Sequence, residues 1–239
     1  VRKLVFGERI QNTGEAPVIY SALKLKRTKE QLKKHLFNKG YFKSEITDST
    51  SILDNGQIDI KYFIKLGEPM FLNSIKYYCP EILISSYLDS IKSNSFLNKG
   101  AVFDTDDLVK ERNRINDFLT NRGFYNFNKE FIYFDIDTNY VSNTVNIILG
   151  IQNYKKIDKI NNSFQDLNHK QFKISKVNIQ IGDSSKFNNI AKLDSIENSF
   201  FKIVNYQPIN FKSKVFKNSI FFKKDDYYKK SIAQQTYRS

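Results

Sequence analysis

The chain has 239 residues, 40% of them hydrophobic, and its 15% aromatic content comes from 21 Phe and 14 Tyr without any Trp, a composition that can fill real cores and suits strand-rich modules. No apolar run approaches the roughly 20 residues of a membrane-spanning helix, no signal-peptide pattern opens the chain, and the single cysteine, Cys79, excludes an intrachain disulfide. The formal charge of +13 raises nucleic acid as a partner, but residues 80–150 carry 7 Lys+Arg against 10 Asp+Glu, and this acidic middle argues against a continuous phosphate-tracking groove.

Residues 1–21, with Gly7, Gly14 and Pro17, read as an extended lead-in. Thr28-x-x-Gln31 then reads as a capping box, opening a helix whose inner stripe is Leu25, Leu32 and Leu36 and whose outer side carries Lys29, Lys33 and Lys34. Gly40 falls where a left-handed helix cap is needed, and the pair Tyr41-Phe42 is placed to fold back on the helix. A strand is predicted over Glu45–Leu53, a turn at Asp54-Asn55-Gly56, and an alternating second strand over Gln57–Leu66 that ends at Gly67-Glu68-Pro69. Residues 1–70 thus form a first module, in which an opening strand is not evident.

Residues 71–152 read as a complete second module. A strand is predicted over Phe71–Tyr78, and Pro80 suits the start of a helix through Ile82, Leu83, Tyr87, Leu88 and Ile91. Asp104-Thr105-Asp106-Asp107 opens a second helix with the stripe Leu108, Arg112, Ile115 and Leu119. It ends in Asn121-Arg122-Gly123-Phe124-Tyr125, which repeats Asn38-Lys39-Gly40-Tyr41-Phe42. Strands over Glu130–Asp137 and Asn143–Ile151 complete the order strand, helix, helix, strand, strand. Residues 153–172 read as a polar linker that allows movement. Residues 173–239 read as a third, truncated module: a strand over Lys173–Ile181, a helix over Asn188–Phe201, extended chain over Phe211–Phe222, and a capped helix over Tyr227–Tyr237 that stops before its hairpin.

No catalytic, cofactor or metal site is expected. His35 and His169 lie far apart in the chain, with no nearby acidic or cysteine cluster. Asp104, Asp106 and Asp107 are carboxylates that open a helix, Lys99-Gly100 lacks the other glycines of a phosphate loop, and Cys79 reads as a small buried side chain. The lysines of residues 151–239 read as a solvated face, with contact to anionic lipid headgroups as the sharper alternative.

The order strand-helix-helix-strand-strand, with its second helix ending in Asn-Lys/Arg-Gly-aromatic-aromatic, resembles the polypeptide-transport-associated (POTRA) domain of the BamA/TamA outer-membrane assembly superfamily. Ile64-Lys-Leu-Gly67-Glu-Pro-Met-Phe-Leu-Asn-Ser-Ile75 resembles the boundary between two such domains, and Val102-Phe-Asp-Thr105 the lead into a second helix. The lead-in Gly14-Glu-Ala-Pro17-Val is similar to TamL-like members. The resemblance implies an α+β fold of tandem βααββ modules, each a three-stranded mixed sheet packed on two helices. Its structural signature falls on Thr28, Leu32, Leu36, Gly40, Tyr41, Phe42 and Gly67, and on Thr105, Leu119, Gly123, Phe124 and Tyr125.

The same resemblance implies a non-catalytic region at the periplasmic face of the bacterial outer membrane, ahead of a C-terminal membrane β-barrel, acting in protein assembly or translocation. Val1 and Ser239 accordingly read as cut ends of a longer protein. Its partners would be unfolded outer-membrane protein clients or an envelope-spanning protein, gripped by β-augmentation along an exposed edge, and not nucleic acid. That edge is the second strand, mapped here to Glu45, Ile46, Thr47 and Ile52 and to Glu130, Phe131, Ile132, Tyr133 and Phe134. Ile132 and Phe134 alternate with Phe131 and Tyr133, and because both pairs are apolar the pattern leaves open which pair faces the helices. A basic nucleic-acid-binding αβ protein and a purely structural spacer are the competing classes.

Overall fold

Helix α1 of the computed structural model covers Ala22–Asn38, beginning six residues before the predicted start. Described residues are 20–158, 163–181, 194–197, 200–205 and 218–238, so the predicted lead-in lies outside them apart from its last two residues. Ala22 through Arg27 are mostly strong helix formers, and they carry the helix through Thr28. Its hydroxyl donates back to the Lys24 carbonyl at 3.0 Å, so Thr28 caps nothing and the predicted box is replaced by Ser21 as the extended residue ahead of the helix. Leu25, Leu32 and Leu36 are half-buried, as the stripe requires. Gly40 ends the helix at φ +87°, and Phe42 stacks on Phe37 with ring centroids 4.2 Å apart.

Strands β1 (Glu45–Ile52) and β2 (Ile58–Lys65) pair antiparallel around Gly56, whose φ is +78°. Their ladder extends to the Leu53 N–H, which donates to the Gln57 carbonyl at 2.8 Å. Asp48 of β1 forms an ion pair with Lys29 of α1, so Ile46 and Asp48 share the helix-facing side of the hairpin. Together with residues 102–104, the chain to Phe71 makes one compact unit; residues 72–101 and 105–239 make the other.

In the second unit the elements run β3 (Phe71–Tyr78), α2 (Ile82–Ile91), α3 (Thr105–Thr120), β4 (Ile132–Asn139) and β5 (Thr144–Ile151). The sheet order is β3-β5-β4, with β4 and β5 antiparallel. Two helices cover one face of this sheet, and Leu72, Ile84, Leu88, Ile115, Leu119, Phe124, Ile147 and Leu149 are buried in the core. Helix α2 starts at Ile82, two residues after Pro80, because Glu81 is extended. The buried stripe of α3 is Leu108, Glu111, Ile115 and Leu119, so Glu111 takes the inner place expected of Arg112, which is only half-buried.

Residues 153–172 are not a featureless linker. They contain a hairpin, β6 (Tyr154–Asp158) with β7 (Ser163–Leu167). Its register explains it: Tyr154 faces Leu167, Ile157 faces Phe164, and Lys155 sits opposite Asp166. Beyond it, β8 (Val177–Ile181), β9 (Asp194–Glu197) and β10 (Phe201–Asn205) form a mixed sheet in the order β8-β10-β9, β10 being parallel to β8 and antiparallel to β9. The helix predicted over Asn188–Phe201 is therefore strand wherever it is described, apart from a bend at Phe200; the period-two pair Phe201 and Ile203 is a strand signal. Of the extended run predicted over Phe211–Phe222, residues 211–217 lie outside the described residues and 218–219 are helical. Helix α4 spans Lys230–Arg238.

One hydrogen-bond pattern occurs twice. The Gly40 carbonyl accepts from Met70 N–H at 2.9 Å, the Met70 carbonyl accepts from Phe103 N–H at 2.8 Å, and Phe71 bridges Val102. In the other unit, the Gly123 carbonyl accepts from Phe172 N–H at 2.8 Å, the Phe172 carbonyl accepts from Tyr228 N–H at 2.9 Å, and Lys173 bridges Tyr227. The glycines leave room for it. A Cβ on Gly40 would stand 2.6 Å from the Phe103 carbonyl oxygen, and one on Gly123 would stand 2.9 Å from the Tyr227 ring. Lys230, the first residue of α4, holds the place in this pattern that Thr105 holds at the start of α3.

Gly123 and Gly100 test the pattern. Both have positive φ, +97° and +85°, but nothing lies within 4 Å of a Cβ on Gly100. Gly100→Ala is expected to cost about 1 kcal/mol from backbone conformation alone. Gly123→Ala is expected to cost about 2–3 kcal/mol, because the Tyr227 contact adds to the strain. Urea unfolding midpoints measure the difference; equal losses would contradict it.

Candidate strand-edge binding site

Strand β5 takes the centre of the second unit's sheet, which leaves β4 with one bonded and one free side; among the described residues no strand lies beyond it. The phase of the ladder identifies the free groups. Gln152 N–H donates to the Phe131 carbonyl at 2.9 Å, and in an antiparallel pair successive residues direct their main-chain groups to alternate sides. Tyr133, Asp135 and Asp137 therefore bond to β5, while Phe134, Ile136 and Thr138 direct N–H and C=O away from it; Ile132 turns the same way, but its N–H is taken by the Lys129 carbonyl of the preceding turn. Applied to β1, the Leu53–Gln57 bond turns Ile46, Asp48, Thr50 and Ile52 outward. The far side of β3 is partly covered, since Leu72 exchanges hydrogen bonds with Gly100 and Ala101 at 2.6 and 2.8 Å.

The structure also settles the faces of β4. Ile132 is 2% exposed, and Phe134 lies beneath the guanidinium of Arg112 on α3 at 5.2 Å, so this pair faces the helices. Tyr133 lies on the opposite face, directly over Gly150, its cross-strand partner. Burial is the main cause that raises the Tyr133 phenol above its ordinary pKa, and the Asp135 carboxylate adds to it. Glu130 and Phe131, predicted as part of the strand, lie instead in a 3-10 turn over Lys129–Phe131. Asn128 starts that turn by accepting from Glu130 N–H at 2.8 Å. Of the predicted edge residues in β1, Glu45, Ile46, Thr47 and Ile52 all lie in the strand, and Ile52 is 81% exposed at its end.

A buried carboxylate holds the helix layer behind this edge. Glu111, fully buried, accepts from Arg114 at 2.6 and 2.8 Å and from Phe96 N–H at 3.1 Å, and it lies 3.2 Å from the Tyr77 hydroxyl of β3. Arg114 also donates to the Ile91 carbonyl at the end of α2 at 3.1 Å. Burial is the largest cause that lifts the Tyr77 phenol above its ordinary pKa; Glu111 adds to the rise, while Ser95 and Arg114 oppose it. A spacing of three and four residues from Leu108 and Ile115 marks Glu111 in the sequence, but a carboxylate there reads as solvent-facing.

A second buried carboxylate was not legible either. Glu81 accepts the His169 N–H at 3.1 and 3.0 Å. The His169 ring lies 3.0 Å from the Gln152 carbonyl and packs edge-on against Phe127 and Phe131. His169 thus does meet an acidic group, from 88 residues away, and the contact fastens the chain after β7 to the second module. Among the described residues, no group of three or more His, Cys, Asp or Glu is placed to hold a metal ion, and no helix is long and apolar enough to cross a membrane.

Residues 8–67 match the model of the POTRA family, described as a surface antigen variable number repeat. No curated protein sequence matches the chain. Among solved structures, it is similar to POTRA3–5 of BamA from Haemophilus influenzae, at 11% identity over 93% of this chain and 70% of that one, with a TM-score of 0.47. It is also similar to BamA from Haemophilus ducreyi lacking POTRA domains 1–3, at 16% identity over 60% of this chain and 26% of that one, with a TM-score of 0.36. A third is POTRA1–3 of the periplasmic domain of Omp85 from Anabaena, at 14% identity over 56% and 51%, with a TM-score of 0.27.

Two measurements check the buried groups. Because the folded Tyr77 pKa is raised, its stabilising contribution is whole below the ordinary tyrosine value of about 10 and is lost as pH climbs through the folded value. Stability is therefore expected to fall above about pH 10, and less steeply in Tyr77→Phe; identical slopes would contradict this. Glu81→Ala is expected to speed hydrogen exchange at the His169 amide and to leave the amides of α3 unchanged.

Proposed function

Taking residues 8–67 as a POTRA domain, we propose that this chain is the periplasmic polypeptide-binding region of an outer-membrane protein assembly or translocation factor. The carrying observation is the row of main-chain groups that β4 directs away from its sheet at Phe134, Ile136 and Thr138. An extended client adds to that row by main-chain hydrogen bonds, with little demand on its sequence. Unfolded outer-membrane proteins or an envelope-spanning partner supply such chains, and a membrane β-barrel is the associated component. In this reading no catalytic role is assigned. The β6–β7 hairpin, with Ile157 and Phe164 exposed beside Lys155 and Lys156, is the surface best suited to anionic lipid headgroups.

Proline at two adjacent positions separates binding from folding. Ile136→Pro removes an outward N–H from a half-exposed edge position, where proline is tolerated. Asp135→Pro removes a ladder bond to β5 and is expected to destabilise the sheet. With the fold retained by circular dichroism, Ile136→Pro is expected to weaken binding of an unfolded barrel-strand peptide about fivefold, the worth of one lost hydrogen bond. Unchanged peptide binding, with outer-membrane assembly intact in cells, would favour the spacer instead.

A further inference from the structure

The outer face of β4 differs from that of β1 in charge. Tyr133, Asp135 and Asp137 share that face, opposite Gly150, Ile148 and Asn146 of β5. Both aspartates are exposed, and among the described residues neither has a basic partner. On β1 the equivalent face carries Glu45, Thr47, Ser49 and Ser51. There the Glu45 carboxylate lies 3.7 Å from Lys65, and beyond it only hydroxyls follow. The acidic Asp48 is on the other side, committed to Lys29.

A strand added to β4 would place its own side chains directly beside these residues, because cross-strand neighbours on one face stand about 5 Å apart. Every second side chain of the guest would meet Asp135 and Asp137; the alternate ones would meet Phe134 and the half-exposed Ile136. Resting on the edge-binding reading above, we propose that the β4 edge selects extended segments with Lys or Arg at every second position and apolar residues between, whereas the β1 edge does not discriminate by charge. The main chain supplies the grip; the aspartate pair supplies the choice.

The test uses the full chain and three peptides that share their apolar alternate residues and differ at the others, carrying Lys, Thr or Glu. The Lys peptide is expected to bind about fivefold tighter than the Thr peptide, as two cross-strand charge pairs allow, and the Glu peptide to bind weakest. The preference should shrink at about 0.5 M salt, where exposed pairs are screened. Asp135→Asn with Asp137→Asn should level the series, and Asp135→Lys with Asp137→Lys should invert it. Equal binding of the Lys and Glu peptides, or a Lys preference that survives in the double Asn variant, would overturn the selectivity and leave edge binding standing. Equal binding of all three peptides by the unaltered chain, together with self-association of the Asn variant, would show that the pair only guards the edge against other copies, and would also overturn it. Binding of every peptide unaffected by Ile136→Pro would instead remove the edge-binding reading itself.

Discussion

Because β5 hydrogen-bonds on both sides, to β3 and to β4, the strand laid down just before it keeps half of its main chain unpaired. The two helices need the sheet as a floor for Ile84, Leu88, Ile115 and Leu119, and the sheet needs the helices to cover one face. Neither requirement closes the β4 side. The free N–H and C=O groups cost nothing while water reaches them, so the edge persists in the folded state, available to a chain that pairs better than water does. Exposed Asp135 and Asp137 discourage pairing of one such edge with another, the usual hazard of an unpaired strand.

Around that sheet the chain repeats a local device. A helix ends in glycine, the glycine carbonyl takes the N–H of the residue that leads into a following strand, and the next carbonyl takes an N–H from the residues leading into a later helix. The pattern holds around Gly40, Met70 and Phe103 and again around Gly123, Phe172 and Tyr228. Positive φ and lack of a side chain are both required, since a Cβ would meet backbone in the first case and an aromatic ring in the second. The repeated Asn-Lys/Arg-Gly-aromatic phrase is thus the sequence trace of a hydrogen-bond network, and not only of a helix stop.

What the sequence showed, and what it hid, divides along physical lines. Periodicity and turn chemistry disclosed β1 and β2 around Asn55-Gly56 and the βααββ order of residues 71–152. Boundaries slipped where two local signals competed: Thr28 offered a cap, but the helix formers before it prevailed, and Asn128 turned Glu130 and Phe131 into a 3-10 turn. Side-chain facing on β4 was illegible because both faces are apolar over the first residues; burial of Ile132 and the contact of Arg112 with Phe134 decide it. Glu111 and Glu81 were invisible for another reason. Each is a buried carboxylate whose partners, apart from Arg114 beside Glu111, come from elsewhere in the chain, and local patterning assigns such residues to solvent. The β6–β7 hairpin reads as linker in the sequence because its apolar residues pair only across strands.

Amide-resolved hydrogen exchange on the full chain, with and without a saturating unfolded barrel-strand peptide, reads strand addition residue by residue. New protection is expected at the amides of Phe134, Ile136 and Thr138, with no change at Tyr133, Asp135 and Asp137, whose N–H groups already bond to β5. Protection of both sets alike, or of residues elsewhere with the three outward amides unaffected, would contradict edge binding at β4.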